Sequence, residues 1–437
     1  RLDLRARACR ERQVCAWEDA AVTMPAQLGD AVWLKDGEVA RLLASLNRDG
    51  EEARVVGGAV RNALLRLFVG EIDVATTAVP DEVVRRVEAA GWKAVPTGIE
   101  HGTVTIVINN HPFEVTTLRQ DIETFGRRAR VMFGRDWRAD AERRDFTINA
   151  LSASADGTVF DYVGGLDDIA AHRVRFIGDP RQRIAEDYLR ILRFFRFHAN
   201  FADGPPDTDG LLACIRARAG LDTLSRERVR MELLKLFVAP RAAATLSVMA
   251  ESGLLGSVLG GVPYVAGFAK MAEIEAALGT DADPVRRLGA LAVMVSEDAE
   301  RLAQRLRLFN AESERLMALE PWRRISPSAG EQTARALLYH LGPESFTDRV
   351  LLAWARARAD AADSDWRALA SLPRRWTAPA FPLKAADFVR RGVTAGPALG
   401  SAMRAAKDVW IAADFPADSA AIDAIAERAA REARTGG

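Results

Sequence analysis

Apolar residues recur at helical spacing over residues 38–46, and Arg54-Val55-Val56 then reads as a short strand running into Gly57-Gly58. Val60, Leu64 and Leu67 share one helical face across residues 59–68, and Glu71-Ile72-Asp73-Val74 returns as a second strand. A further helix is expected over residues 80–90. Residues 102–108 and 112–118 alternate Thr with branched apolar side chains on either side of Asn109-Asn110-His111, the pattern of a β-hairpin. Residues 119–144 are rich in Arg, Asp and Gly with weak periodicity and read as a mobile loop. From Asp179 onward strand signals fade. Ala, Leu, Arg and Glu then recur at helical spacing, interrupted at Asp203-Gly204-Pro205-Pro206, at Gly260-Gly261 and between Pro373 and Pro382. No fixed repeat period emerges, so the second half is expected to be an irregular helical assembly.

The expected class is therefore α+β. A mixed sheet with helices forms a head over residues 31–178, followed by a helical neck over 179–260 and a helical body and tail over 261–437. Residues 1–30 are read as a leader, with Met24 a candidate native start. The leader's first 23 residues carry mixed charges but no apolar stretch of the kind a secretory signal needs.

Composition narrows the function classes. In 437 residues, Lys plus Arg equals Asp plus Glu at 60 each, so any nucleic-acid surface must come from local clustering and not from net charge. No apolar run approaches the roughly 18 residues of a membrane span. The three cysteines, Cys9, Cys15 and Cys214, have neither metal-ligand spacing nor an even framework, which fits a reducing, cytoplasmic setting and argues against structural zinc. The five histidines are scattered without ligand spacing and are read as structural or exposed.

The candidate chemistry lies in the first half. Two apart on an expected strand, Glu71 and Asp73 leave the same face about 7 Å apart and can share a cation. By itself such a pair also describes a solvated edge strand. Gly57-Gly58, between strand and helix, would let backbone N–H groups approach a phosphate, with Arg61 one turn on as counter-charge. Glu114, on the second hairpin strand, would complete three oxygen donors for Mg²⁺. Further on, Asp187, Arg190, Phe194 and Phe197 would fall on one stripe of a helix, while Ile184, Tyr188, Leu192 and Phe195 face a core. A carboxylate beside a guanidinium can satisfy the polar edge of C or A by hydrogen bonds, although ion pairs of Glu186 or Asp187 with Arg190 on a solvated helix fit the same spacing. Phe194 is a candidate stacking platform, against a plain core role.

Four strings in order carry a resemblance. Gly57-Gly58-Ala59-Val60-Arg61-Asn62 with Glu71-Ile72-Asp73-Val74-Ala75-Thr76, then Arg143-Arg144-Asp145-Phe146-Thr147-Ile148-Asn149-Ala150-Leu151, then Glu186-Asp187-Tyr188-Leu189-Arg190-Ile191-Leu192-Arg193-Phe194-Phe195-Arg196-Phe197, and finally Ser225-Arg226-Glu227-Arg228-Val229-Arg230-Met231-Glu232-Leu233 resemble the motifs of the class II tRNA nucleotidyltransferase and bacterial poly(A) polymerase family. The resemblance implies attack of an RNA 3′-hydroxyl on the α-phosphorus of CTP or ATP, with release of pyrophosphate. It assigns metal binding to Glu71 and Asp73, with Glu114 a third catalytic carboxylate, and nucleotide contacts to Gly57, Gly58, Arg61 and Arg144. Asp145 would recognise the ribose, Asp187 and Arg190 the base, and Arg193 and Arg196 would help hold the nucleotide. Two positions depart from the family pattern: Glu71 stands where Asp is usual, and Asn62 where Asp usually follows the arginine.

Within the family, the segment 119–144 and the string Pro96-Thr97-Gly98-Ile99-Glu100-His101-Gly102-Thr103 resemble the CCA-adding members, and the arginines of Glu123-Thr124-Phe125-Gly126-Arg127-Arg128-Ala129-Arg130 could serve a switch from CTP to ATP. The tail lacks the strongly basic stretch suited to generic RNA. Segments from Pro382 to Gly400 resemble the tail of longer bacterial members, which implies a helical body gripping the tRNA elbow and acceptor end by shape and phosphates. CCA addition to tRNA is the leading expectation. Poly(A) addition, CC-only or A-only addition, and a non-catalytic RNA-binding scaffold are the alternatives.

Overall fold

The computed structural model describes residues 27–435 apart from 30, 99–101, 126–127, 320–321 and 323–324, with backbone alone at 97, 120–125 and 128–131. The leader with its candidate start, Met24, lies outside the described residues. Two compact units divide the chain, Arg1–Leu259 and Gly260–Gly437.

The first unit is built on a seven-stranded sheet in the order β3-β4-β5-β2-β1-β8-β9: β1 Ala53–Val56, β2 Asp73–Thr76, β3 Lys93–Gly98, β4 Thr103–Ile108, β5 His111–Thr117, β8 Ser152–Ala153 and β9 Val159–Phe160. All its pairings are antiparallel except β2 with β5. The hairpin expected from the alternating Thr and branched residues is β4–β5, turned by Asn109 and Asn110 at φ 49° and 67°. Asn tolerates the left-handed conformation that two-residue hairpin turns demand.

Alternation gives the sheet two unlike faces. Val55, Val74, Val115 and Val104 form one row across four strands, each fully buried. The helices Glu38–Leu46 and Pro80–Ala89 supply Val39, Leu42, Leu43, Leu46, Val83 and Val87 to the buried core. Each such side chain stabilises the head by roughly 1.5–3 kcal/mol relative to exposure. The opposite row runs Thr105, Glu114, Asp73, Val56, Ser152 and is only partly covered, where Val56, Ala75 and Leu118 pack with Trp137.

Two expectations are corrected here. Residues 119–144 are not a structureless loop. They form a separate two-stranded ribbon, β6 Arg119–Phe125 with β7 Arg128–Phe133, and the helix Trp137–Glu142 capped by Asp136. Ladder bonds join backbone groups and need no apolar alternation, which neither strand shows, so the periodicity gave no signal. Nor does the second strand start at Glu71. β2 begins at Asp73, leaving Glu71 on the loop that leads in.

No strand follows Phe160 among the described residues. The rest of the first unit is helical, and its aromatic core joins head to neck. Phe146 and Phe176 lie with ring centroids 4.9 Å apart, Phe146 and Phe197 5.2 Å, and Phe176 and Phe194 5.2 Å. The second unit is also helical. Its helical stretch Glu331–Arg356 breaks at Gly342, φ 74° and ψ 168°, just before Pro343. Phe388, Trp410, Phe415 and Ala426 centre one apolar cluster there. A buried ionic network lies elsewhere in the same unit. Glu275 accepts from Arg286 at 2.9 Å and Arg287 at 2.7 Å, while Asp348 accepts from Arg286 at 2.8 Å and pairs with Arg315, which also reaches Asp283 at 2.8 Å. Three carboxylates thus balance three guanidinium groups.

Candidate active site

The parallel register of β2 and β5 sets Asp73 directly beside Glu114, both on the partly open face of the sheet. The Asp73 carboxyl reaches solvent, yet its surroundings remove enough water to raise its pKa above the usual carboxylate range. Repulsion from Glu114 and Glu71 raises it further, against an opposing pull from Arg144. Among the described residues the side chains of Glu71, Asp73 and Glu114 have no ion pair or hydrogen bond. Nor do three metal-type side chains anywhere among them already close into a cage. Three unpartnered carboxylates, two of which make charging the third more costly, offer oxygen donors of the kind a hard divalent cation takes.

β1 delivers the chain to Gly57, whose φ of 68° and ψ of −119° suit glycine alone. A Cβ there would stand 3.3 Å from Arg144 Nη1 and 3.4 Å from the Asn149 carbonyl oxygen. The turn therefore needs glycine both for conformation and for the close approach of Arg144. Gly58 opens the short helix Gly58–Leu64, which ends before the expected Phe68.

From that helix Arg61 is buried against the Phe201 ring, 4.0 Å from its centroid, and donates to the side chains of Asn149 and Asn62. Burial pushes its pKa down to about 10; Arg196 and Arg193 lower it too, and Asp145 acts in the other direction. A guanidinium destabilised by two others marks a place where an anion such as a polyphosphate would be stabilised. Arg144 is aimed by Asp140, which accepts from it at 3.1 Å and also pairs with Arg143. Burial alone would raise the Asp140 pKa, but Arg144 and Arg143 outweigh it and hold it low.

The structure corrects the stripe expected on a single helix. The helix Pro180–Glu186 ends, Asp187 adopts extended φ −155° and ψ 107°, and a new helix runs Leu189–Phe201. Asp187 and Arg190 are consequently not an ion pair. Asp187 Oδ2 accepts from Arg228 at 2.5 Å and its Oδ1 caps the Leu189 amide at 3.1 Å. Arg190 spends Nη1 on Glu186 and on the Arg183 carbonyl at 2.6 Å. Asp187 also borders a depression of about 380 Å³ with Glu186, Tyr188, Ser225 and Arg228. Phe194 is wholly buried among Phe146, Phe176 and Phe195, so it is core and not a stacking platform.

Arg193 and Asp145, expected as separate nucleotide contacts, engage each other. Asp145 Oδ2 accepts two bonds from Arg193, the Nε one at 2.7 Å, and Oδ1 accepts from the Phe146 amide at 2.9 Å and Asn149 at 3.1 Å. Burial would raise the Asp145 pKa, yet Arg193 and these donors hold it below the ordinary range. Arg196 is likewise fixed, donating to Glu232 at 2.5 Å. Sequence reading did not single out Arg228, Glu232, Asn149 or Asp140. The first two lie four apart in the fourth motif and so face the same way, a spacing that pointed to one shared face.

A mixed sheet carrying paired carboxylates beside a glycine turn and clustered arginines, continued by a helical neck, defines the nucleotidyltransferase head class. Residues 53–175 match the poly A polymerase head domain, and residues 209–266 match the probable RNA and SrmB-binding site of polymerase A. Over 379 residues the chain is 34% identical to a zebrafish (Danio rerio) mitochondrial CCA tRNA nucleotidyltransferase 1, covering 82% of this chain and 83% of that protein. It is 31% identical to a CCA-adding enzyme of Limosilactobacillus fermentum over 83% of this chain and 89% of the other. The crystal structure of a Bacillus stearothermophilus CCA-adding enzyme in complex with CTP superposes with a TM-score of 0.70 at 27% identity, covering 91% of this chain and 98% of that one. The chain belongs to the class II CCA tRNA nucleotidyltransferase family. No helix among the described residues is long and apolar enough to cross a membrane.

Proposed function

We infer that this chain extends the 3′ end of tRNA by C, C and A, drawing on CTP and ATP and releasing pyrophosphate. The observation that carries the reading is Asp73 standing in register with Glu114 at the sheet end where Glu71 arrives, within a chain 34% identical to a CCA tRNA nucleotidyltransferase over most of both lengths.

Family membership implies a divalent cation, and Mg²⁺ suits three oxygen donors. Glu71 and Asp73, with Glu114, would hold it, and when bound it would acidify the RNA 3′-hydroxyl and neutralise charge on the phosphates. Arg61 and Arg144 flank Gly57-Gly58 and present guanidinium charge to the triphosphate. Asp187 and Arg190 read the base: Arg228 holds the carboxylate, and both Arg190 bonds use Nη1 of a group with five donors. Arg193 and Arg196 act chiefly by supporting this arrangement through Asp145 and Glu232. Asp145 serves ribose recognition only through the lone pairs that Arg193 leaves. The helical body, residues 261–437, would grip the tRNA elbow and acceptor stem by shape and phosphate charge.

Placement in the cytoplasm rests on the sparse cysteines; three similar vertebrate proteins are mitochondrial by name, and fractionation of the source cell decides between the compartments. The reaction is tested with a tRNA lacking its last three nucleotides, Mg²⁺, and CTP or ATP singly and together, with products sized to one nucleotide. Two additions with CTP alone and three with both are expected. A stop at two with both nucleotides would mean CC-only addition, a single addition of A would mean an A-adding enzyme, and a long A ladder would mean a poly(A) polymerase. No extension would leave an RNA-binding scaffold.

A further inference from the structure

The loop that brings Glu71 to β2 is not held by apolar burial. None of residues 65–72 is buried, and Phe68 is 74% exposed. The chain leaves the helix Gly58–Leu64 through Arg66 at φ 56°, a conformation that costs a non-glycine residue free energy and needs support. Asn62 supplies that support twice. Its backbone carbonyl accepts from the Leu67 amide at 2.8 Å, and its side-chain Nδ2 donates to the Phe68 carbonyl at 3.0 Å. At the other end of the same amide, Oδ1 accepts from Arg61 Nε at 3.2 Å and Nη2 at 2.8 Å. A guanidinium only donates and a carbonyl only accepts, so these partners fix which way the amide points. The Phe68 ring folds back over Gly70, where a Cβ would stand 3.0 Å from the ring edge.

We propose that Asn62 is a positioning residue for the transfer reaction: it fastens the Glu71 loop to the Arg61 guanidinium, so that the triphosphate seat and the metal-holding carboxylates keep one spacing. The position calls for a group that accepts and donates at once. An aspartate of the same shape, usual in the family pattern, would keep the Arg61 bonds but set a carboxylate oxygen against the Phe68 carbonyl. That contact repels, and the loop would move away from Arg61. In this chain the amide therefore accompanies a longer carboxylate at position 71, which must draw back to meet the same ion.

The proposal rests on the reading of Glu71 and Asp73 as metal ligands, and the test separates the two. Full-length wild type, Asn62→Asp, Asn62→Ala and Asp73→Asn proteins are compared by amide hydrogen exchange without metal, then by steady-state extension over a Mg²⁺ series. Both Asn62 variants are expected to speed exchange across residues 65–72 about tenfold, with β1 and β5 unchanged. Extension by Asn62→Asp should lose roughly three- to tenfold in kcat and need more Mg²⁺ for half-maximal rate, while KM for CTP stays within about twofold because Arg61 keeps its acceptor. Unchanged exchange at 65–72 with unchanged Mg²⁺ dependence overturns the proposal, as does faster exchange spread over the whole first unit. Should Asp73→Asn extend RNA normally, the metal reading falls independently of what Asn62 does.

Discussion

Asp73 and Glu114 are register partners on the parallel strand pair of the head sheet, and Glu114 makes the charge on Asp73 more costly. A carboxyl whose folded pKa is raised binds its proton more tightly folded than unfolded. Its ionised form therefore subtracts from stability above the usual carboxylate range, and the loss is relieved as pH falls through the raised value. Replacing Asp73 with Asn should raise the melting temperature measurably in metal-free buffer while lowering extension by more than about a thousandfold. A protein that melts lower, or that still extends RNA, contradicts this.

Glu71 sits between the Asn62 tie at Phe68 and the β2 ladder at Asp73, so adjustment of its side chain and of residues 69–72 can absorb its extra methylene. Glu71→Asp should leave kcat within about threefold of wild type, whereas Glu71→Gln, which removes the charge, should cost at least about a hundredfold. A sharp gain on Glu71→Asp would show that the native glutamate is a handicap.

Arg228 holds Asp187 at the point where two helices meet. With Arg228→Ala the carboxylate is free to turn, and discrimination of CTP and ATP against UTP and GTP should fall about tenfold or more in kcat/KM, with little change in melting temperature. Equal losses for all four nucleotides would point instead to a general defect.

Asp145 carries a depressed pKa in the folded protein because Arg193 and the hydrogen bonds from Asn149 and the Phe146 amide favour its ionised form over the cost of burial. Its stabilising contribution is full above the ordinary aspartate range and is lost as pH falls through the depressed value. Asp145→Asn should cost on the order of 3 kcal/mol at neutral pH, by taking from Arg193 the nearer of its two carboxylates and leaving Glu232 at 3.8 Å, and should flatten the acid limb of the stability curve. Urea titrations between neutral and strongly acidic pH measure both effects.

In the second unit Asp348 joins Arg286 to Arg315 almost out of contact with water. Asp348→Ala takes one of their carboxylates from Arg286 and Arg315, which keep Glu275 and Asp283, and should cost about 1.5–3 kcal/mol, lowering the transition of that unit before the head unfolds. Replacing Asp348 with Ala should not change the Mg²⁺ requirement of extension by the protein that remains folded, which can be measured well below the transition.

The linear sequence determined the elements whose periodicity is strong and the local order of the chemistry. Val55, Val74 and Val115 alternate with outward residues because a strand's side chains have period two, and Gly57 had to be glycine because only it takes a φ of 68° with ψ of −119°. The four motifs fall in their family order, and the β4–β5 hairpin and the helical second half are legible in the residues themselves. Only the tertiary structure decided which charges meet. Asp145 with Arg193 and Asp187 with Arg228 lie 48 and 41 residues apart, and nothing in local spacing distinguishes these pairs from the helical neighbours that Asp187 and Arg190 could have been. The β2–β5 pairing likewise joins distant strands, and through it Asp73 meets Glu114. The break at Asp187 was also hidden, since Asp187 is held by Arg228 from a distant segment, and so was the ribbon in residues 119–133, whose internal ladder follows no apolar period. Periodicity reports which face of an element is buried. It does not report which face of another element will be laid against it.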